Sequence, residues 1–346
     1  MRLNKIFFLF LIVFVLFAYY FYYSIYKKET VHEPQINFEV KQGETATELA
    51  TRLEKEKIIS DAWLFKKYLA WNNLDKKIKF GNYTVNSPLT IANIASSLNQ
   101  PDFNEKEITI LPGWDIRDVA TYFESLAMFQ AEETTELIGL PAVDYRTAKD
   151  VSKPDVDFAK YKVLRDKPEY VSYEGYLAPE TIRVFADSDL KEILEKFIAY
   201  RDSQFTPEMY LEIEKQGKTV YQILTLASIL EKEVKTLADK KIVADLFWRR
   251  LEENWALQAD STVHYAVFKT GTVFTTSEDR QTDSLWNTYK YPGLPLSPIC
   301  NPSLDSIMAA IYPTKNNYNF FLTDSNGQVH YAVTNEQHNY NRYKYL

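Results

Sequence analysis

Cysteine is almost missing from this 346-residue chain: Cys300 stands alone, so no intrachain disulfide can form. Histidine is nearly as scarce, with four scattered residues that give no metal-ligand spacing, and neither a metal nor a cofactor is expected. A basic excess is lacking too. Lys and Arg number 40 against 47 Asp and Glu, a net charge of −7, which leaves no face dense enough to neutralise many phosphates and makes nucleic acid an unexpected partner. No internal repeat or low-complexity tract is present. What the chain does have is hydrophobic residues, 46% of the total, enough for sizeable cores in one large domain or two to three modest ones. Its 25 tyrosines and 21 phenylalanines read first as core packing, because large rings dominate buried area in any protein.

From Ile6 to Ile25 the sequence carries no charge. Twenty residues at about 1.5 Å each match a hydrocarbon core of about 30 Å, so an uncleaved transmembrane anchor is expected within residues 1–30. Tyr19, Tyr20, Tyr22, Tyr23 and Tyr26 cluster at its end, followed by Lys27 and Lys28, as residues of a headgroup interface do. No small-x-small site follows the run, which argues against a cleaved signal peptide. Arg2 and Lys5 before the span nearly balance the two lysines after it, so charge alone does not set the orientation.

Beyond a polar linker, residues 36–100 read as a small αβ module. Its parts are a strand around Phe38–Val40, helices from Thr45 to Leu53 and from Asp61 to Trp71, the segment Gly81–Val85, and a helix from Thr90 to Leu98. A second unit opens at residues 105–346 with the alternating strand Lys106–Ile110, a turn at Pro112-Gly113 and a helix starting near Asp115. Residues 125–170 are acidic and interrupted by Pro141, Pro154 and Pro168, and read as a variable surface insertion. Helical periodicity returns from Ser188 to Phe205. The fold class expected is α+β.

The run from Thr219 to Leu237 places Ile223, Leu226, Ala227, Leu230, Val234 and Leu237 on one helical stripe, so an amphipathic helix is expected. Glu231 and Glu233 flank that stripe. Glu231 has Lys235 four residues on, the order of a surface ion pair. Glu233 has Ile229, Leu230 and Leu237 a turn away, a setting that raises a carboxyl pKa when a cleft closes over it. A general acid at neutral pH needs that shift. Charged residues bordering a stripe are more often simply solvated, and spacing alone does not decide between these readings. Polar residues then cluster at Leu257–Tyr265 and Asn287–Tyr289, and a proline-rich stretch from Pro292 to Pro302 reads as a rigid loop suited to holding a ligand.

At these residues the chain resembles the endolytic murein transglycosylase family, MltG or YceG-like. The resemblance covers nearly the whole chain. It rests on Ile108–Trp114, Tyr173–Thr181, Ala227–Glu233, Leu257-Gln258 with Asp260 and Thr262, Asn287–Tyr289, Gly293–Pro295 and Asn301-Pro302, in that order. Two departures stand out: Asp260-Ser261-Thr262 where the family has Asp-Pro-Thr, and Pro295-Leu296-Ser297 where it has Pro-Pro-Gly, which bears on that loop's turn.

The resemblance implies a membrane anchor, a LysM-like module over 36–100 and a catalytic region over 105–346. It implies a lyase cleaving MurNAc-GlcNAc bonds within nascent strands to leave 1,6-anhydro-MurNAc ends, thereby ending elongation. Glu233 is then the catalytic residue, with Glu231 the alternative, and Gln258, Asp260, Thr262, Asn287 and Tyr289 are candidates for orienting the sugar. The substrate would be peptidoglycan, the site of action the outer side of the cytoplasmic membrane, and the partners wall-synthesis proteins such as penicillin-binding proteins. Two other classes stay open: a non-catalytic peptidoglycan-binding scaffold, and a hydrolase using Asp260 as a second carboxylate.

Overall fold

The computed structural model describes residues 2–41, 43–98, 105–154, 156–185, 188–269 and 275–346. The chain divides into two compact units, Met1–Glu105 and Lys106–Leu346. The boundary expected at residue 100 lies outside the described residues.

In the first unit, α1 (Arg2–Tyr26) precedes β1 (Gln35–Val40), α2 (Ala46–Lys55), α3 (Ala62–Trp71), β2 (Gly81–Asn86) and α4 (Ile91–Ser97). β1 and β2 pair antiparallel from Gln35 opposite Asn86 to Val40 opposite Gly81, and alternation sends Ile36, Phe38 and Val40 inward. Thr45 starts α2 through a reciprocal cap with Glu48, and Asp61 starts α3 by accepting from the Leu64 N–H at 2.8 Å. Among the described residues no helix is long and apolar enough to cross a membrane. At the end of α1 the five tyrosines expected at a headgroup interface, Tyr19, Tyr20, Tyr22, Tyr23 and Tyr26, are all exposed. Ser24 and Ile25 are buried, Phe21 meets Trp63 edge-on and Tyr26 meets Tyr68, so the last turns of α1 pack on the small unit.

The second unit runs β3 (Glu105–Thr109), α5 (Ile116–Ser125), α6 (Ala131–Ile138), β4 (Thr181–Phe185), α7 (Leu190–Gln204), α8 (Pro207–Lys215), α9 (Val220–Glu233), α10 (Leu237–Glu252), α11 (Asp260–Ala266), α12 (Leu304–Ile311), β5 (Phe320–Thr323), β6 (Val329–Ala332) and α13 (Asn335–Tyr345). β3 pairs with β4, and β5 with β6. Thirteen helices and three two-stranded sheets among the described residues make the architecture mixed α and β. Residues 125–170 are more than surface: Ile138, Tyr145, Phe158 and Val163 are buried.

The central helix differs from expectation in two ways. Every residue of α9 from Ile223 to Leu230 is buried, so the helix is enclosed on all sides rather than amphipathic. Thr225 and Ser228 are tolerated there because their hydroxyls donate to the Tyr221 and Thr225 carbonyls at 2.7 Å. The helix also stops at Glu233 and does not continue to Leu237. Val234 is extended, and the Thr236 hydroxyl caps a new helix, α10, by accepting from the Asp239 N–H. That break leaves Glu233 on the last turn, at the edge of the core.

The family-like segments meet at Asn301. Its carbonyl accepts from the Gly113 N–H, its N–H and side-chain amide donate to the Trp114 carbonyl, and its Oδ1 accepts from the Leu177 N–H. Buried Arg201 reinforces the junction by donating to the Leu177 and Pro302 carbonyls. Gly175 is required here: its φ is +86°, and a Cβ would stand 2.6 Å from that of Pro298. Ser297 has no need of glycine, since it is not among the residues with positive φ, and its hydroxyl accepts from the Trp286 indole at 2.9 Å.

Candidate active site

Glu233 faces a cavity of about 790 Å³ in the second unit, walled by Asp115, Arg117, Gln258, Asp260, Ser261 and Tyr289 among others. Burial in this wall pushes the carboxyl above its usual range; the Ser261 hydroxyl, 2.7 Å from Oε1, and the more distant Ser261 N–H pull partly back, and the Asp260 charge adds to the rise. The position at the carboxy end of α9 acts in the same direction, because the negative end of the helix dipole opposes a second negative charge. Glu233 is therefore held toward its acid form.

Glu231, two residues earlier, is placed to do the opposite. Its Oε2 accepts from the Ser303 N–H at 3.0 Å, the Ser303 and Ser306 hydroxyls at 2.5 Å and Lys240 Nζ at 3.0 Å. Burial alone would raise its pKa, but these donors outweigh it and hold the carboxyl below its usual value. The partner is Lys240 rather than the expected Lys235, because α9 ends before it could present Lys235 one turn on. Glu231 is held as a carboxylate at the start of α12 and is not among the residues of the cavity wall.

The orienting candidates divide. Asp260 Oδ1 accepts from the Tyr289 hydroxyl at 2.8 Å and the Thr275 hydroxyl at 2.5 Å, with Arg280 at 3.5 Å, so Asp260 and Tyr289 form a fixed polar edge of the cavity. Burial and that same carboxylate keep the Tyr289 phenol neutral. Gln258 is exposed in the wall in a left-handed conformation, φ +54°, pinned by its N–H to the Thr288 carbonyl at 3.2 Å. Thr262 and Asn287 do not reach the cavity. Both are fully buried: Thr262 bonds to the Ala259 carbonyl and the Thr288 hydroxyl, while Asn287 donates to the Arg280 and Thr282 carbonyls and accepts from the Tyr289 N–H. Their hydrogen bonds tie together the loops that carry Gln258, Asp260 and Tyr289.

Sequence reasoning missed two residues. Thr288 stitches the segments together, bonding through its carbonyl to Gln258, and through its hydroxyl to the Ala259 N–H and Thr262. Ser261, noted only as a departure from a proline, supplies the hydrogen bond to Glu233; a proline has neither the hydroxyl nor the N–H. A second carboxyl with a raised pKa, Glu174, is fully buried behind the wall. Burial and the Asp115 charge raise it well above the usual range, and its Oε2 accepts from the Ile116 N–H and the Tyr265 hydroxyl. Cys300 is also buried, its thiol on the Ser228 carbonyl. Among the described residues no group of three or more His, Cys, Asp or Glu is placed to hold a metal ion.

One raised carboxyl in a cavity wall, set among fixed hydrogen-bonding groups on a mixed α and β scaffold, is the arrangement that general acid–base chemistry uses. The YceG-like family model matches residues 38–344, and the chain belongs to that family. It is 28% identical over 319 residues to an endolytic murein transglycosylase of Streptococcus pneumoniae, covering 87% of this chain and 57% of that protein. A protein of the same name from Bacillus subtilis is 28% identical over 327 residues, covering 90% of this chain and 85% of the relative. The chain thus spans 57% of the length of the pneumococcal relative. A crystal structure of a YceG-like protein from Listeria monocytogenes superposes with a TM-score of 0.57 at 28% identity, covering 88% of this chain and 98% of that one.

Proposed function

We propose that this chain is an endolytic peptidoglycan lytic transglycosylase, a lyase that cuts MurNAc-GlcNAc bonds inside nascent strands and so ends their elongation. The observation that carries this reading is the raised carboxyl of Glu233 in the cavity wall, together with relatives named as endolytic murein transglycosylases. Glu233 donates its proton to the glycosidic oxygen as the C1–O bond breaks and an oxocarbenium-like state develops. The resulting carboxylate takes the proton of the muramic acid 6-hydroxyl as that oxygen bonds to C1. No water is consumed, the GlcNAc end leaves as an alcohol, and a 1,6-anhydro ring closes on MurNAc.

Because one residue acts first as acid and then as base, the site needs one carboxyl rather than a flanking pair. Ser261 aims it, and Asp260, Tyr289 and Gln258 orient the sugar. The β1-α2-α3-β2 order supports a LysM-like, glycan-holding role for the first unit, which would raise the local concentration of strand. The uncharged run within α1 supports a membrane anchor, with the catalytic unit outside the cytoplasm beside penicillin-binding proteins and other wall-synthesis proteins.

The test is mass spectrometry of glycan strands digested by the wild-type chain and by Glu233→Gln. Anhydro ends that vanish with the variant support the proposal. Reducing ends would assign a hydrolase, and intact strands under varied conditions would leave a binding scaffold.

A further inference from the structure

Helix α3 turns an unusual face outward. Trp63, Lys67, Ala70 and Trp71 fall at helical spacing on one side and are exposed, while Leu64, Phe65 and Leu69 fill the core on the other. Trp63 is 54% exposed and Trp71 62%, although tryptophan has the most apolar area to gain by burial. The Lys67 ammonium lies over the Trp63 ring at 5.8 Å. The chain then runs through Lys76, Lys77 and Lys79 to Phe80, all exposed, the last 51% so. Between Trp63 and Phe80 there are five lysines and one acidic residue, Asp75, in a chain whose net charge is −7. Cationic heads on flexible stems interleaved with flat aromatics suit an anionic, disordered interface better than a single rigid ligand.

The same face adjoins the apolar part of α1. Trp63 meets Phe21 edge-on, and Phe21 meets Phe17 at 4.6 Å. Every side chain from Phe10 to Ala18 is apolar and exposed. Phe17, within that run, lies one helical turn, about 6 Å along the axis, from the residue on which Trp63 rests. Where α1 enters a bilayer, Trp63 is held at headgroup depth, and Trp71 and the lysine segment extend along the surface.

We propose that the face of Trp63, Lys67 and Trp71, with Lys76, Lys77, Lys79 and Phe80, docks on the headgroups of anionic phospholipid. This rests on the reading of α1 as a membrane anchor. Docking holds the small unit, on which the end of α1 packs, against the bilayer surface. Each lysine at the surface gains from the negative potential, and the two indoles gain from the interface.

The experiment uses the full chain in phosphatidylcholine vesicles containing phosphatidylglycerol, with brominated acyl chains as quencher. α1 contains no tryptophan, and Trp63 and Trp71 are two of six in the protein. The expected result is a loss of tryptophan emission that disappears in the W63Y/W71Y double variant. It should fall about twofold in all-phosphatidylcholine vesicles or with K76E/K77E/K79E. Because the replaced tryptophans are exposed, Leu64, Phe65 and Leu69 still hold the unit, which far-UV circular dichroism checks.

Alkaline carbonate extraction separates the two readings. Release of the chain from the vesicles overturns the anchor and the docking together. Retention of the chain, with equal quenching in wild type and double variant, overturns the docking alone. A shift of Trp63 and Trp71 emission on adding soluble glycan strands, without bromolipid quenching, overturns it in favour of a sugar-binding face.

Discussion

Glu231 and Glu233 are two residues apart on one helix and of one residue type, yet the fold shifts their pKa values in opposite directions. Glu231 enters the junction of α9, α10 and α12, where three serine donors and a buried lysine fix it as an anion. Glu233 enters the cavity wall, where one serine is its hydrogen-bonding partner and a neighbouring aspartate opposes its ionisation. What separates them is the number of donors each meets, because burial acts on both in the same sense.

The sharpest way to break this contrast is Glu233→Gln, which keeps the size and removes the transferable proton. Formation of anhydro ends should fall by at least about 100-fold with the melting temperature nearly unchanged. Activity within ten-fold of wild type in strand digests would sink the assignment. Glu231→Ala should do the reverse. It strands Lys240, whose side chain is 5% exposed, and should cost about 3 kcal/mol in urea unfolding. The fraction still folded should retain its rate per molecule.

Thr262→Val tests whether a buried threonine behind the cavity wall acts through the fold or on the substrate. Losing the bonds to Ala259 and Thr288 should cost about 1 kcal/mol of stability. A rise in KM with stability unchanged would instead return Thr262 to the substrate.

The smallest effects are in pH. Ser261→Ala removes the bond that lowers the Glu233 pKa, so the alkaline limb of kcat/KM should move to higher pH. A shift to lower pH, or none, would argue against Glu233 as the acid. Stability should carry both signs. Glu231 has a folded pKa below the ordinary 4.5, so its contribution is complete above that value and is lost as pH falls through the lowered one. Glu233 has a folded pKa above 4.5, so its ionisation erodes stability as pH rises from 4.5 through the raised value. Glu233→Gln should flatten the second slope and leave the first.

The elements of the first unit were legible because short amphipathic segments announce themselves. Thr45, Asp61 and Thr90 cap the helices expected there, and alternation marks β1. In the second unit, periodicity misled at α9. A stripe of apolar residues was visible, but Thr225 and Ser228 hid that the helix is buried all round, and Val234 to Leu237 continued the stripe across a break. Of the expected orienting residues, Gln258, Asp260 and Tyr289 line the cavity while Thr262 and Asn287 lie behind it. Polar residues clustered in a loop look alike in sequence whether they face a ligand or each other.

Local order therefore came from the sequence itself: the caps, the strand alternation, the uncharged run in α1, and the apolar neighbours of Glu233 lie within a few residues of the features they set. Which glutamate is lowered and which raised was decided by Ser303, Ser306 and Lys240 around Glu231, and by Asp260 and a single donor, Ser261, around Glu233. These residues reach α9 only through the packing of α10, α11 and α12 around it. A carboxyl pKa is a sum over neighbours in space, so no spacing along the chain contains it.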